Sequence, residues 1–457
     1  MKSLTLTAAL FLGVSVFGHE GTPNPDSVFI RKIYDEALEK GQAYDNLRTL
    51  CKDIGARVTG SSEAEMAVKW GEKLLKSYQF DEVYLQEIEV PHWERGTKET
   101  CWIENESGEV KKLSVLALGG SVGTGGLIEG EVVVFNSLEE LKAADKALVK
   151  NKIVFLNRPF DQKLLQMFKA YGACANQRHS GPNEGGKLGA KAVVIRSLAS
   201  STDEHAHTGS THYDADVDSI PGAAISTVDA DVLSAWLQKG KVTLKLEMDC
   251  RIYPNVKSHN VIAEMKGNKD NKIITFGGHL DSWDVGEGAH DDGAGIVHSI
   301  EALRILKQLG YKPNHTLRCV LFMNEENGNF GGKSYAKIAH DKGEEHICAL
   351  ESDRGGFLPI GFDIQGTDEQ VSIVQTYASM LKGFELYNFQ KGYSGVDIRP
   401  LTEYYPEMIQ LGMSISSQRY FDYHHSEADV FENVNKRELH LGAGAFAALI
   451  YLMDKTI

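Results

Sequence analysis

The feature that most constrains this chain is the alternation that follows Tyr253-Pro254. Ile273 to Phe276 is a continuous apolar run of strand length, and Gly293 to Leu309 sets Ile296, Ile300 and Leu303 on one helical stripe before Gly310 stops it. Leu317 to Met323 is a second apolar run, Gly332 to Lys342 a second helical pattern, and Ile347 to Leu350 a third run. Strand, helix, strand, helix, strand demands right-handed crossovers, so the pattern predicts an α/β fold with a mostly parallel central sheet flanked by helices.

The polar residues of this region stand just beyond the carboxyl ends of the strands, where open parallel sheets bind their ligands. His279 follows the first strand in Gly278-His279-Leu280-Asp281-Ser282, and His290-Asp291-Asp292-Gly293 opens the next helix. Glu325-Glu326 follow the second strand, Asp353 the third, and His425 closes the set near the C-terminus. Carboxylates and imidazoles crowded on one sheet edge repel and desolvate one another unless cations neutralise them. Oxygen and imidazole ligands without thiolate suit zinc, with manganese or cobalt as replacements. Five candidate ligands are one short of two three-ligand sites, so two metals would have to share a carboxylate. No HExxH helix is present, which removes thermolysin-type chemistry from consideration, and the GxSxG spelling Gly119-Gly120-Ser121-Val122-Gly123 falls among the glycine-rich turns of the insert rather than at a strand-to-helix elbow, so serine-hydrolase chemistry has no support.

Upstream, a helix is expected over Glu63 to Tyr78, with Ser62 as N-cap, Glu65 completing a capping box, and Ala67, Trp70, Leu74 and Tyr78 on its inner face. From residue 113 to 254 the texture changes to glycine-rich turns and short apolar strands (Val132 to Phe135, Ile153 to Leu156, Ala192 to Ile195), the mark of a strand-rich insert. The insert carries Asp203-Glu204-His205-Ala206-His207 with His212, Asp214 and Asp216, which imitates a second metal site; its Gly-Ser-Thr surroundings favour a solvated loop. Residues 1–18, with Lys2 and the apolar run Leu4 to Phe17, have the form of a signal peptide, too short for the ~20 residues of a bilayer span. Export to a secretory, lysosomal, periplasmic or extracellular location follows, with no stable membrane insertion after cleavage. The balance of 48 Lys+Arg against 63 Asp+Glu, net −15, opposes binding to nucleic acid.

Gly278 to Ser282, Asp291-Asp292-Gly293, Glu325-Glu326, Glu351-Ser352-Asp353 and His425-Ser426 together resemble the co-catalytic dizinc aminopeptidase family. Two longer peptides, Val90 to Gly96 and Gly278 to Gly286, resemble one dipeptide-cleaving branch of it. The resemblance spans nearly the whole chain after the leader. It implies a dizinc exopeptidase fold, with residues 19–112 the first part of the catalytic domain (a pro-segment possible at its start), 113–254 a protease-associated domain and 255–457 the rest of the catalytic domain. It also implies two Zn2+ per chain, a homodimer and peptide substrates, dipeptides or short peptides, with a broader aminopeptidase or a non-catalytic scaffold as alternatives. Asp291 matches the bridging ligand, His279 and Asp353 the other ligands of one zinc, Glu326 and His425 those of the second, and Glu325 the general base that serves a metal-bridged hydroxide. Asp281, two residues past His279, is expected to accept a hydrogen bond from that imidazole. Asp397 and His207 are candidates for substrate binding.

Overall fold

The computed structural model describes residues 24–457; the leader expected at residues 1–18 lies outside them. Two eight-stranded sheets organise the chain. The strands of the larger are β1 (Glu82–Glu94), β2 (Arg251–Met265), β3 (Ile273–His279), β4 (Thr316–Phe322), β5 (His346–Glu351), β6 (Pro359–Gln365), β7 (Asn388–Lys391) and β8 (Ile409–Ile415). They lie in the order β1-β2-β4-β3-β5-β8-β6-β7. β4, β3, β5 and β8 run parallel, as the apolar runs predict, whereas β1-β2, β2-β4 and β8-β6 are antiparallel pairs. Every residue of β3 and β4 is buried, the condition of strands covered on both faces.

This order positions the site. The chain leaves β3 for β4 on one side and then crosses to β5 on the other, so the strand order reverses at β3 and opens a crevice beyond its carboxyl end. His279 is the last residue of that strand.

The helix Ala294–Gln308 follows the crevice and is buried without interruption from Ala294 to Leu306 between the sheet and the C-terminal helix Lys436–Thr456. The first described helix, Pro25–Lys40, joins the same layer through Ile30, Ile33, Tyr34 and Ala37, and its Asp26 accepts hydrogen bonds from Tyr451 and Lys455 of the C-terminal helix. The helix expected near residue 63 spans Ser62–Ser77, and its cap differs from the expectation by one residue. Ser61 Oγ accepts from Ala64 N at 3.0 Å, while Ser62 Oγ turns outward to Glu63, so no Ser62–Glu65 capping box forms. The buried stripe is accordingly Ala64, Ala67, Val68, Gly71 and Leu75, with Trp70 and Leu74 at its margin.

The smaller sheet takes its strands from Glu99–Asn105 to Val242–Met248, beginning ahead of the boundary expected at 113. Ile128–Phe135, Ile153–Leu156, Ala192–Arg196 and Gly222–Ile225 run parallel at its centre, with antiparallel pairs at both edges. It leaves and rejoins the larger sheet through the long β1-β2 pair. At that junction the two peptides that carry the longer resemblance meet: the Arg95 guanidinium grips Asp284 at 2.6 and 2.9 Å and Glu99 at 2.9 Å. All six cysteines are buried free thiols. Among the described residues no helix is long and apolar enough to cross a membrane.

Candidate metal centre

Past His279 the chain cannot continue as sheet, because the loop Leu280 to Gly288 is pulled onto Arg57. This fully buried guanidinium donates to the carbonyls of Leu280 (2.6 Å), Glu287 (2.7 Å) and Gly288 (2.9 Å). The loop ends in the turn Ala289–Gly293, whose Asp291-Asp292 peptide is cis. Asp429 holds this turn from the other side, its two oxygens accepting from His290 N (2.7 Å) and Asp291 N (3.1 Å).

The five groups proposed as ligands converge. One oxygen of Asp291 lies 3.3 Å from His279 Nε2, and Asp353 lies 3.7 Å from the same nitrogen. The other oxygen of Asp291 lies 3.1 Å from His425 Nε2, which is also 3.1 Å from Glu326 Oε2. A single carboxylate thus stands between two clusters, {His279, Asp353} and {His425, Glu326}.

The donor set fits divalent cations. Asp291 Oδ2 and Glu326 Oε1 are buried and accept no hydrogen bond, a condition that costs about 1–3 kcal/mol per group unless another partner is supplied. Burial and neighbouring carboxylates push Glu325, Glu326 and Asp353 above the ordinary carboxylate range. Burial opposes the charged forms of His279 and His425, yet the carboxylates around them outweigh it, raising His279 well and His425 to about 9. Such a cluster is short of positive charge and recruits protons when metal is not there to supply it.

Ligating histidines need their second nitrogen fixed. His279 Nδ1 lies 3.0 Å from the carbonyl of Asp281, and His425 Nδ1 lies 3.2 Å from the carbonyl of Thr208, a residue of the insert. His425 sits at φ 63°, and the reciprocal bond from Thr208 N to His425 O (2.9 Å) pins that left-handed turn. His207 completes the clasp, its Nδ1 2.6 Å from the carbonyl of His424.

Three sequence expectations are corrected here. The Asp281 carboxylate does not orient His279: it lies 3.8 Å from Nδ1, which is satisfied by the backbone carbonyl of the same residue. Its oxygens accept instead from the amides of Asn324 (2.6 Å), Glu325 (3.1 Å) and Glu326 (3.3 Å) and from the Thr59 hydroxyl (3.1 Å), fixing the loop that bears both glutamates. His207 does not face the cleft, because its imidazole is buried against the His424 carbonyl and burial lowers it to about 4. Asp397 is likewise fully buried behind the cleft wall and neither of its oxygens accepts a hydrogen bond, while its amide donates to Glu351.

A cleft of about 620 Å³ opens over the clusters, lined by Asp291, Glu325, Glu326, Asp353 and His425 and, beside His425, by the insert's Tyr171 and Arg178. His424 and Asp292, absent from the sequence set, also come within ligating range of the clusters. The Asp292 oxygens, however, already accept from the amides of His279 (3.1 Å) and Gly295 (3.0 Å). Trp93 and Trp283 are buried and pack edge to face, and Trp283 also lies edge to face against His425. The acidic and histidine-rich stretch from Asp203 to Asp216 forms no metal cluster among the described residues. Arg57, Arg178, Thr208 and Asp429 were not singled out from sequence; only Asp429 had a local signal, four residues past His425 in an otherwise short polar turn.

The family model described as peptidase family M28 matches residues 260–450. Carboxypeptidase Q of Bos taurus is 33% identical over 435 residues, covering 93% of this chain and 88% of that protein, and the Homo sapiens carboxypeptidase Q is 33% identical over 92% of this chain and 86% of its own. The chain belongs to peptidase family M28. Among solved structures, this M28 peptidase is similar to a peptidase M28 precursor from Shewanella amazonensis SB2B, with TM-score 0.88 and 32% identity over 94% of this chain and 96% of that one. A zinc aminopeptidase from Bacillus subtilis shares the fold at TM-score 0.64 and 19% identity, over 90% and 94% of the two chains. The dizinc exopeptidase fold expected of the M28 chain is therefore present, and the enzyme class follows from the family.

Proposed function

We propose that this M28 peptidase is an exported, homodimeric zinc exopeptidase that hydrolyses dipeptides or short peptides, with the insert acting as a protease-associated domain. The observation that carries the metal assignment is the division of the Asp291 carboxylate between His279 on one side and His425 on the other. In this reading His279 and Asp353 hold one zinc, Glu326 and His425 the second, and Asp291 both. The ions supply Lewis acidity, toward water and toward the scissile carbonyl.

The chain's own groups do the remainder. Glu325 stands beside Glu326 on the loop fixed by Asp281 and faces the cleft without belonging to either cluster. It is free to accept a proton from the attacking water and return it to the leaving amine. Asp281 keeps that carboxylate in register, and the Thr208 and Asp281 carbonyls keep both imidazoles aimed at the clusters. The similarity to carboxypeptidase Q supports an exopeptidase acting at a chain end. A dipeptide panel run on native, metal-stripped and zinc-restored protein tests the proposal. Turnover of dipeptides should vanish on stripping and return with zinc, and C-terminal extension of the same substrates should slow it. Chelator-resistant turnover would overturn the metal assignment, and equal rates on longer peptides would favour a broader aminopeptidase.

A further inference from the structure

The two clusters are held in different ways. The His279 cluster rests on elements of the larger sheet: His279 ends β3, Asp353 follows β5, and the loop from Leu280 to Gly288 hangs on Arg57. His425 depends on the insert. Its Nδ1 reaches the Thr208 carbonyl at 3.2 Å, and its own carbonyl accepts from Thr208 N at 2.9 Å. Thr208 is fixed in turn through its side chain, whose Oγ1 donates to the Ala117 carbonyl at 2.7 Å and lies 3.4 Å from Arg95 Nη2.

These threads meet at Arg95. It stands one residue past β1, where the chain leaves the larger sheet, and its side chain is only 10% exposed. Nη1 donates to Glu99 Oε1 at 2.9 Å and to the Ala117 carbonyl at 2.8 Å, while Glu99 Oε1 also accepts from Ala117 N at 2.6 Å. Nε and Nη2 take the Asp284 carboxylate in a fork, at 2.9 and 2.6 Å. Asp284 directly follows Trp283, whose ring lies edge on to the His425 imidazole with centroids 5.7 Å apart. Gly119 closes behind that ring so tightly that a Cβ on it would come within 1.8 Å of the indole. One guanidinium thereby ties the Thr208 segment and the Trp283 loop, which meet at the same imidazole, to a single point.

We propose that Arg95 is a positioning residue for the second ion: it bolts the insert to the Trp283 loop, holds His425 in ligating geometry through Thr208, and so makes the {His425, Glu326} site depend on the docked insert while the {His279, Asp353} site does not. The inference rests on the two-ion reading above. A planar fork that serves two carboxylates and a carbonyl at once has no equivalent in a lysine. Groups that orient a metal ligand set its affinity by about 10- to 100-fold, so one substitution outside both clusters should separate the two ions.

The test strips wild type, Arg95→Met, Thr208→Val and Lys98→Met of metal and titrates each with zinc against a chromophoric chelator, which gives two dissociation constants. Anomalous diffraction at the zinc edge shows which position a variant fills last. Arg95→Met should weaken the ion at His425 about 10- to 100-fold and the ion at His279 less than about threefold. Thr208→Val keeps the carbonyl on His425 and removes only the hydroxyl that ties it to Ala117 and Arg95; it should weaken the same ion to a smaller degree, and it carries the test if Arg95→Met does not fold. Lys98→Met, which breaks a surface ion pair with Glu247 in the insert's sheet, should leave both constants unchanged. Because coupling is reciprocal, zinc should slow amide exchange in the Thr208 segment of wild type and do so far less in Arg95→Met. Equal weakening of both ions would make Arg95 a general support of the fold and overturn the proposal, as would unchanged constants in folded Arg95→Met or Thr208→Val. Failure of the two-ion reading looks different: wild type itself would then titrate fewer than two ions.

Discussion

Asp281→Asn is the substitution that most sharply separates two accounts of how the site is held. The native carboxylate is fully buried and receives four hydrogen bonds, two on each oxygen: Asn324 N and Glu325 N on Oδ1, Thr59 Oγ1 and Glu326 N on Oδ2. An asparagine of the same shape keeps one oxygen and turns an NH2 group toward the other pair of donors. Thr59 can rotate its hydroxyl to accept, but the facing amide cannot, so one buried N–H is left facing N–H. That mismatch costs about 1–3 kcal/mol of stability. The loop can relieve it only by moving the backbone that carries Glu325 and Glu326, and a shift near 1 Å in a catalytic group lowers turnover on the order of 100-fold. Urea unfolding, zinc content and dipeptide kcat measured on one preparation give the answer. The expectation is a destabilised protein that retains a zinc ion at the His279 side and loses kcat. A variant of native stability and native kcat would refute the reasoning, as would selective loss of the His279-side metal with the glutamate loop intact, because that pattern belongs to a carboxylate acting through the imidazole.

Other consequences are separate. Glu325→Gln should keep its zinc and lose about 100- to 10,000-fold in turnover, the range for removing a general base; retained turnover in the zinc-loaded variant would reject the role given to Glu325. Arg57→Met leaves three or more buried carbonyls without donors, so thermal unfolding should show a loss of at least about 3 kcal/mol, with metal affinity falling as the Leu280 to Gly288 loop loosens. On the far side of the sheet Arg318 clasps Glu344 at 2.6 and 3.1 Å, and His346 lies 3.3 Å from it. Burial would raise Glu344, but His346 and Arg318 outweigh it and hold it at about 2. A depressed carboxyl adds stability above its unfolded value near 4.5 and loses it as pH falls toward 2, so up to about 3 kcal/mol should disappear across that window. Glu344→Gln should flatten that part of the acid unfolding curve, and an unchanged curve would contradict the pairing.

The parallel centre of the larger sheet was legible because β3, β4 and β5 are buried on both faces and so read as unbroken apolar runs. The antiparallel edges were not: β1 and β2 carry alternating polar residues such as Glu87, Glu89 and Lys257 on an exposed face, and their pairing spans the whole insert. Four of the five groups now gathered at the clusters were visible one by one, since each follows a strand or opens a helix, whereas His425 stands in the turn after the short helix Tyr420–Tyr423. What holds them was hidden. Arg57 and Thr208 act through backbone carbonyls, which carry no residue signature, and Arg178 reaches the cleft only because the insert folds back over the sheet. Asp281 was correctly marked as a partner but assigned to the wrong neighbour. Proximity in sequence favoured His279, two residues away, whereas in space the Glu325–Glu326 loop supplies three amides that outcompete one ring nitrogen.

The central claim is that one carboxylate serves two ions, and metal stoichiometry tests it most directly. Wild-type protein equilibrated with zinc and freed of excess should hold two ions per chain, and Asp291→Ala, checked for folding by circular dichroism, should hold none tightly. One ion in the wild type, or a full pair retained by folded Asp291→Ala, would contradict the arrangement.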